Sequence, residues 1–175
     1  MTEQRAGAGY EIAVRAATLS DDAELAAIDR ATWSPAISPA PVPSSTSSFF
    51  DESGAAGFLV ATLGDRVVGY VTLQQPTRLA ANRHVLAVHG LAVAPDAQRR
   101  GVGSQLLVAA VAHARAAGAS RITLRVFASN ATARRLYEAH GYVVEGILRG
   151  EFLLPAGNDG AVVAVDDVLM AKALS

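Results

Sequence analysis

Residues Gln98-Arg99-Arg100-Gly101-Val102-Gly103 lie between an apolar segment that reads as a strand, Val85 to Val93, and a segment with helical apolar spacing, about Val102 to Ala117. A further apolar strand, Arg121 to Val126, follows that helix. Strand, helix and strand in this order make a crossover, and neighbouring strands joined by a crossover run parallel. The earlier apolar segments, Phe58 to Leu63 and Val67 to Leu73, are joined only by Gly64-Asp65-Arg66, a hairpin signal. The chain is therefore expected to form an α+β fold with a mixed, largely antiparallel twisted sheet.

The loop that opens the crossover helix has chemical as well as topological content. The first turn of a helix presents backbone N–H groups without intrahelical partners at the positive end of the macrodipole. Gly101 and Gly103 let an anion such as a phosphate approach that backbone closely. Arg99 and Arg100 either add charge near the phosphates or form a solvated basic pair.

The remaining segments fill out a single domain over residues 10–175, behind a small, polar leader of nine residues that reads as disordered. Glu11 to Ala17 alternates as a strand with Ile12 and Val14 inward, and Ser20 is an N-cap candidate for a helix reaching about Arg30. Ala31 to Ser48 is dense in proline and serine, and longer than most connections; it reads equally as a functional lid or a flexible surface loop. A short second helix is expected within Phe49 to Ala56. Val102, Leu106, Leu107, Ala110, Val111 and Ala114 recur on one face of the crossover helix, which Gly118 stops. Tyr142 to Leu148 and Ala161 to Met170 complete the sheet as a hairpin-like pair. The total is about six to seven strands flanked by about four helices.

Composition narrows the function classes. With 175 residues the chain is large enough for a sizeable core. A net charge of −1, with no basic run longer than two residues, argues against a nucleic-acid partner. No apolar run approaches the roughly 20 residues of a membrane span, and Met1 to Arg5 lacks the apolar stretch of a signal peptide, so a soluble cytoplasmic protein without a membrane partner is expected. There is no cysteine, and His84, His89, His113 and His140 make no compact ligand motif, so no metal is implied.

The order strand, Pro95, then Gln98-Arg99-Arg100-Gly101-Val102-Gly103-Ser104 resembles the acetyl-CoA loop of the GNAT superfamily of N-acetyltransferases, written Gln/Arg-x-x-Gly-x-Gly/Ala. Asn130-Ala131-Thr132-Ala133-Arg134-Arg135-Leu136-Tyr137-Glu138-Ala139-His140-Gly141-Tyr142 resembles that family's second signature, Asn-x-x-Ala-x-x-Leu-Tyr-x-x-x-Gly-Phe/Tyr. The two blocks cover about Val85 to Leu148. The resemblance implies a GNAT fold and transfer of an acetyl group from acetyl-CoA to a primary amine, on a small molecule or a peptide N-terminus. A homodimer is the assembly to test.

The same resemblance distributes the roles. Gln98, Arg99, Arg100, Gly101, Val102, Gly103 and Ser104 would hold the CoA pyrophosphate, and Leu91-Ala92-Val93 would offer backbone groups to the pantetheine arm, inserted where two parallel strands splay apart. Asn130 is a natural N-cap on sequence grounds, and by resemblance it and Ala133 also contact that arm. Tyr137 would be the general acid toward the departing thiolate; without the family it could simply be core. His89, on the strand at the parity of Leu91 and Val93, is the base candidate, although a lone histidine on an apolar strand is more often a satisfied core group. Some relatives carry a glutamate on this strand, whereas Val85 to Val93 contains no carboxylate. Deprotonation through water, or use of an already neutral amine, is the alternative. Asp166 and Asp167 would either recognise a cationic acceptor or lie on a solvated hairpin edge.

Two other functions fit parts of the pattern. A family member that binds acyl-CoA without turnover would serve as a sensor or partner subunit. Gly101-Val102-Gly103 also begins like a dinucleotide fingerprint, with Arg125 imitating an NADP-phosphate partner, but the third glycine position is Leu106 and no repeated strand-helix-strand units follow.

Overall fold

The computed structural model describes residues 11–44, 48–52, 54–155 and 161–174; the expected leader lies outside them. Seven strands form one sheet: β1 (Ile12–Ala16), β2 (Phe58–Leu63), β3 (Arg66–Gln74), β4 (Val85–Val93), β5 (Arg121–Phe127), β6 (Val143–Pro155) and β7 (Val162–Ala173), in the order β1-β2-β3-β4-β5-β7-β6. Three α-helices accompany them: α1 (Asp22–Thr32), α2 (Val102–Ala116) and α3 (Ala131–Ala139).

Every neighbouring pair is antiparallel except β4 and β5, which α2 joins as a crossover. One face of α2 supplies the buried side chains Val102, Leu106, Leu107, Ala110, Val111 and Ala114, the set with helical spacing in the sequence. These pack with Val60, Val68 and Val71 of β2 and β3 and with Ile122 of β5 in a single core. Leu25 and Ile28 of α1 enter the same core, together with Phe50, which lies beside Phe49 and Phe58 in edge-to-face contact.

Several local expectations need correction. Residues 49–52 and 54–57 make turns and bends rather than a second helix, and Asp22 at the start of α1 anchors the beginning of this segment. One of its carboxylate oxygens accepts from the Ser48 hydroxyl at 2.7 Å and from the Phe49 and Phe50 amides at 2.9 Å each. Among the described residues there are three α-helices against the about four expected, the other helical pieces being short 3₁₀ turns. Ser20 does not cap α1, whose N-cap position is Asp21; a 3₁₀ turn over Leu19–Asp21 precedes the helix and is capped by Thr18, whose amide donates to Asp21 at 2.7 Å. The Asp21 carboxylate also receives a two-pronged grip from Arg15, at 2.7 and 2.8 Å. The closing hairpin is longer than the apolar pattern suggests, since β6 and β7 continue through polar residues to Pro155 and from Val162.

Candidate active site

The parallel pairing of β4 and β5 lasts for four residue pairs, Val85↔Arg121 to Val88↔Leu124. Beyond Val88, β4 continues to Val93 paired only with β3, and β5 continues to Phe127 paired only with β7. The strands therefore part into a V, the splay expected from the sequence. A bulge marks the point of departure. Leu73 faces Val88 and Thr72 faces Gly90, which leaves His89 as the extra residue. A bulge bends its strand and resets the alternation of its side chains. His89 thus does not share the simple parity with Leu91 and Val93 read from the sequence; it is exposed, and it lines a cavity at the mouth of the V.

Below the V stands the start of α2. Gly101, its N-cap, has φ +87°, and Arg99 has φ +59°, so the loop twice enters the left-handed region. No side chain caps the helix, and its first backbone bond runs from Gln105 to the Gly101 carbonyl at 3.0 Å. The amides of Val102, Gly103 and Ser104 are thus the helix's free N-terminal donors. A non-glycine residue held left-handed is costly strain of the kind found at ligand-binding loops. The Gln98 side chain ties the loop back to the strand by donating to the Val93 carbonyl at 3.1 Å. A cleft of about 520 Å³ runs over this turn, lined by Leu91, Ala92, Val93, Gln98, Arg99, Gly101, Val102, Gly103, Ser104, Asn130 and Ala133. Arg100 is not among its lining residues. Gly103 has an ordinary φ, and a Cβ there would stand 3.1 Å from Leu136 Cδ2, so its absence serves the packing of α3 against α2 as well as approach to the backbone.

Helix α3 forms the far wall. Asn130 caps it as expected, its side-chain oxygen accepting from the Ala133 amide at 3.1 Å. Tyr137, one face of α3 further on, is buried and meets the Tyr142 ring edge-on at 5.8 Å. Burial pushes its phenol up to about 12, so the group is a neutral donor at any physiological pH.

A second cavity of about 630 Å³ opens on the other side of the V and shares Leu91, Ala92, Asn130 and Ala133 with the first. Its walls include Asp29, Trp33, Tyr70, His89, Arg125 and Tyr137, and Ile37, Ser38 and Ala40 to Ser44 from the proline-rich loop. The described part of that loop therefore acts as a wall, and it is braced by a bond from Trp33 Nε1 to the Ala40 carbonyl at 3.0 Å. Two clefts meeting at a V, one over a helix N-terminus and one lined by ionisable groups, match the layout the two sequence blocks imply.

Residues 23–142 match the model of the acetyltransferase (GNAT) family. The chain belongs to that family. It is 31% identical over 122 residues to a [ribosomal protein bS18]-alanine N-acetyltransferase of Salmonella typhimurium, covering 69% of this chain and 78% of that one. Among solved structures, yncA, a putative acetyltransferase of Salmonella typhimurium with its cofactor acetyl-CoA, superposes with a TM-score of 0.75 at 18% identity, over 94% of this chain and 95% of that chain. The smu.2055 protein of Streptococcus mutans superposes with a TM-score of 0.76 at 23% identity, over 94% and 99% of the two chains.

The GNAT fold also disposes of readings drawn from single segments. The sheet is not doubly wound, and Arg125 is engaged by Asp167 and Glu151 rather than set beside a glycine-rich fingerprint. Asp167 is buried beneath Arg125, and Asp166 accepts from Arg149 at 2.6 Å and from the Gly150 amide at 2.9 Å. Neither aspartate is a free receptor for a cationic acceptor, nor is the pair a solvated edge. The residues that sequence reasoning missed are Asp29 and Tyr70. Asp29 is one of several charged residues along α1 and Tyr70 one ring in an apolar strand, so neither gives a signal alone, and only the packing of α1 across β3 brings them together.

Proposed function

We propose that the protein transfers an acetyl group from acetyl-CoA to a primary amine. The observation that carries this reading is the meeting of the two clefts at the V between β4 and β5, with Tyr137 and the α2 turn on either side. The residues present suit the cosubstrate: unpaired amides at a helix N-terminus, a left-handed glycine and Arg99 suit a pyrophosphate. When bound, acetyl-CoA supplies an activated acyl thioester.

The chain's own contributions then follow from their positions. The turn from Gln98 to Ser104 holds the phosphates, and Leu91 to Val93, without a β5 partner, offers backbone groups to an extended ligand arm. Donors preset toward a developing oxyanion need no reorganisation during reaction, which makes this strand segment the natural place for them. Tyr137 donates its proton to the departing sulfur. His89, exposed at the bulge, accepts the amine proton directly or through one water. No helix among the described residues is long and apolar enough to cross a membrane.

The test is calorimetric titration with acetyl-CoA, followed by measurement of released CoA against amino acids, polyamines, aminoglycosides and N-terminal peptides. Micromolar binding with turnover on one class supports the reading. Binding without turnover on any class favours an acyl-CoA sensor, and absence of binding removes both.

A further inference from the structure

We propose that the second cavity selects an acceptor whose primary ammonium sits on a skeleton with no carboxylate beside it, and that Asp29, oriented by the Tyr70 hydroxyl, receives that ammonium. The inference rests on the second cavity being the acceptor site of the proposed acetyl transfer.

Asp29 reaches the cavity from α1, and Tyr70 donates to one of its oxygens at 2.8 Å. Tyr70 stands opposite Ala92 across β3 and β4, so the pair lies beside the strand segment where the two clefts join. Burial, and then the charge of Asp29, push the Tyr70 phenol far above its ordinary range, which keeps it a donor. Among the described residues, no basic side chain forms an ion pair with Asp29. A half-buried carboxylate with one oxygen held and no cation beside it is a receptor for a cation.

The charge balance of the opposite wall gives the selectivity. Arg125 is the one guanidinium lining the cavity, and on its face it would suit the carboxylate of a free amino acid. Its Nε, however, donates to the buried Asp167, and its Nη2 donates to Glu151 at 2.7 Å. Two carboxylates against one guanidinium leave that cluster with a surplus of one negative charge. Asp29 adds another, and His89 offsets one only when protonated. An acceptor carrying its own carboxylate would therefore enter a cavity of like sign, whereas an amine or a peptide-like N-terminus would not.

The experiment uses the only tryptophan of the chain, Trp33, which lines this cavity and reports on its occupancy. The full-length protein, saturated with CoA so that no turnover occurs, is titrated with alanine amide and separately with alanine at pH 7, and fluorescence is followed. Alanine amide is expected to bind about ten-fold or more tightly than alanine, the scale of one like-charge repulsion near a protein surface. Asp29→Asn, which can still accept from Tyr70, should weaken alanine amide binding about ten-fold and narrow the preference only in part, since the surplus charge at Arg125, Asp167 and Glu151 remains, and Tyr70→Phe should weaken it less, with the CoA dissociation constant unchanged in both. Equal or tighter binding of alanine, no detectable binding of either amine, or an unaltered affinity for alanine amide in Asp29→Asn would overturn the proposal. Failure of the wild-type protein to bind CoA would instead count against the acetyl-transfer reading beneath it.

Discussion

The side chain of Leu136, on α3, occupies the space that a side chain at Gly103, in the first turn of α2, would need; a Cβ there would lie 3.1 Å from Leu136 Cδ2. The cleft over the α2 turn is thus bounded by a helix contact that leaves no slack.

Gly103→Val should weaken acetyl-CoA binding by at least ten-fold while the protein stays folded, because Leu136 must move into the cleft to make room. Gly103→Val combined with Leu136→Ala should recover part of the loss, a coupling of about 0.5–3 kcal/mol for residues in contact. Calorimetry on the wild type, both single variants and the double variant checks this. Strictly additive effects would mean that Leu136 does not mediate the loss.

For the general acid, Tyr137→Phe keeps the ring against Tyr142 and removes the only hydroxyl the family pattern assigns to the leaving sulfur. Turnover should fall by roughly 10²–10⁴, the range for a positioned acid, with little change in the acetyl-CoA dissociation constant. Because the phenol is held up to about 12 by burial, the wild-type rate should show no alkaline loss attributable to it below that value. Undiminished turnover in Tyr137→Phe would return the residue to packing alone.

Asn130→Ala removes the cap that α3 receives at 3.1 Å and should lower stability by about 1 kcal/mol in urea unfolding. The same substitution should weaken acetyl-CoA binding, since Asn130 lines both clefts. A stability loss with unchanged affinity would confine Asn130 to its cap.

The start of α1 carries a pH dependence of known sign. Hydrogen bonds from Arg15, then from the Thr18 amide, hold the Asp21 carboxyl at about 2 against an ordinary 3.8. A carboxyl depressed in the folded state contributes stability above its ordinary value, and that stability is lost as pH falls toward the folded one. The contribution, on the order of 1–2 kcal/mol, should therefore be complete above about pH 4 and fade toward pH 2. Asp21→Asn should be less stable than wild type at pH 7, and the two should converge near pH 2. A constant difference across that range would place the effect in packing rather than charge.

Much of this architecture is legible in the sequence because it depends on local rules. The crossover after Gly103 requires parallel strands, the spacing from Val102 to Ala114 names the buried face of α2, and Asn130 announces its cap. What escaped were features decided by contacts distant in sequence. The extra residue at His89 depends on how β4 matches β3, which no alternation within β4 reveals. The segment after Phe49 forms turns anchored by an aspartate 27 positions earlier, a contact that no local pattern announces. Arg125, Asp167 and Glu151 meet only once β5, β7 and β6 lie side by side, so each looks like an ordinary surface charge in the linear chain.

The brevity of the β4–β5 pairing has a mechanical meaning. On one side of it lie four antiparallel strands, β1 to β4, and on the other three more, β5 to β7, so four residue pairs and the helix above them are the seam between two halves of the sheet. Of Val85 to Val88 and Arg121 to Leu124 only Val88 lines a cleft, yet together they act as the fulcrum that sets the angle at which both clefts open. Repacking beneath them would widen or narrow the site without altering a single group that touches a ligand.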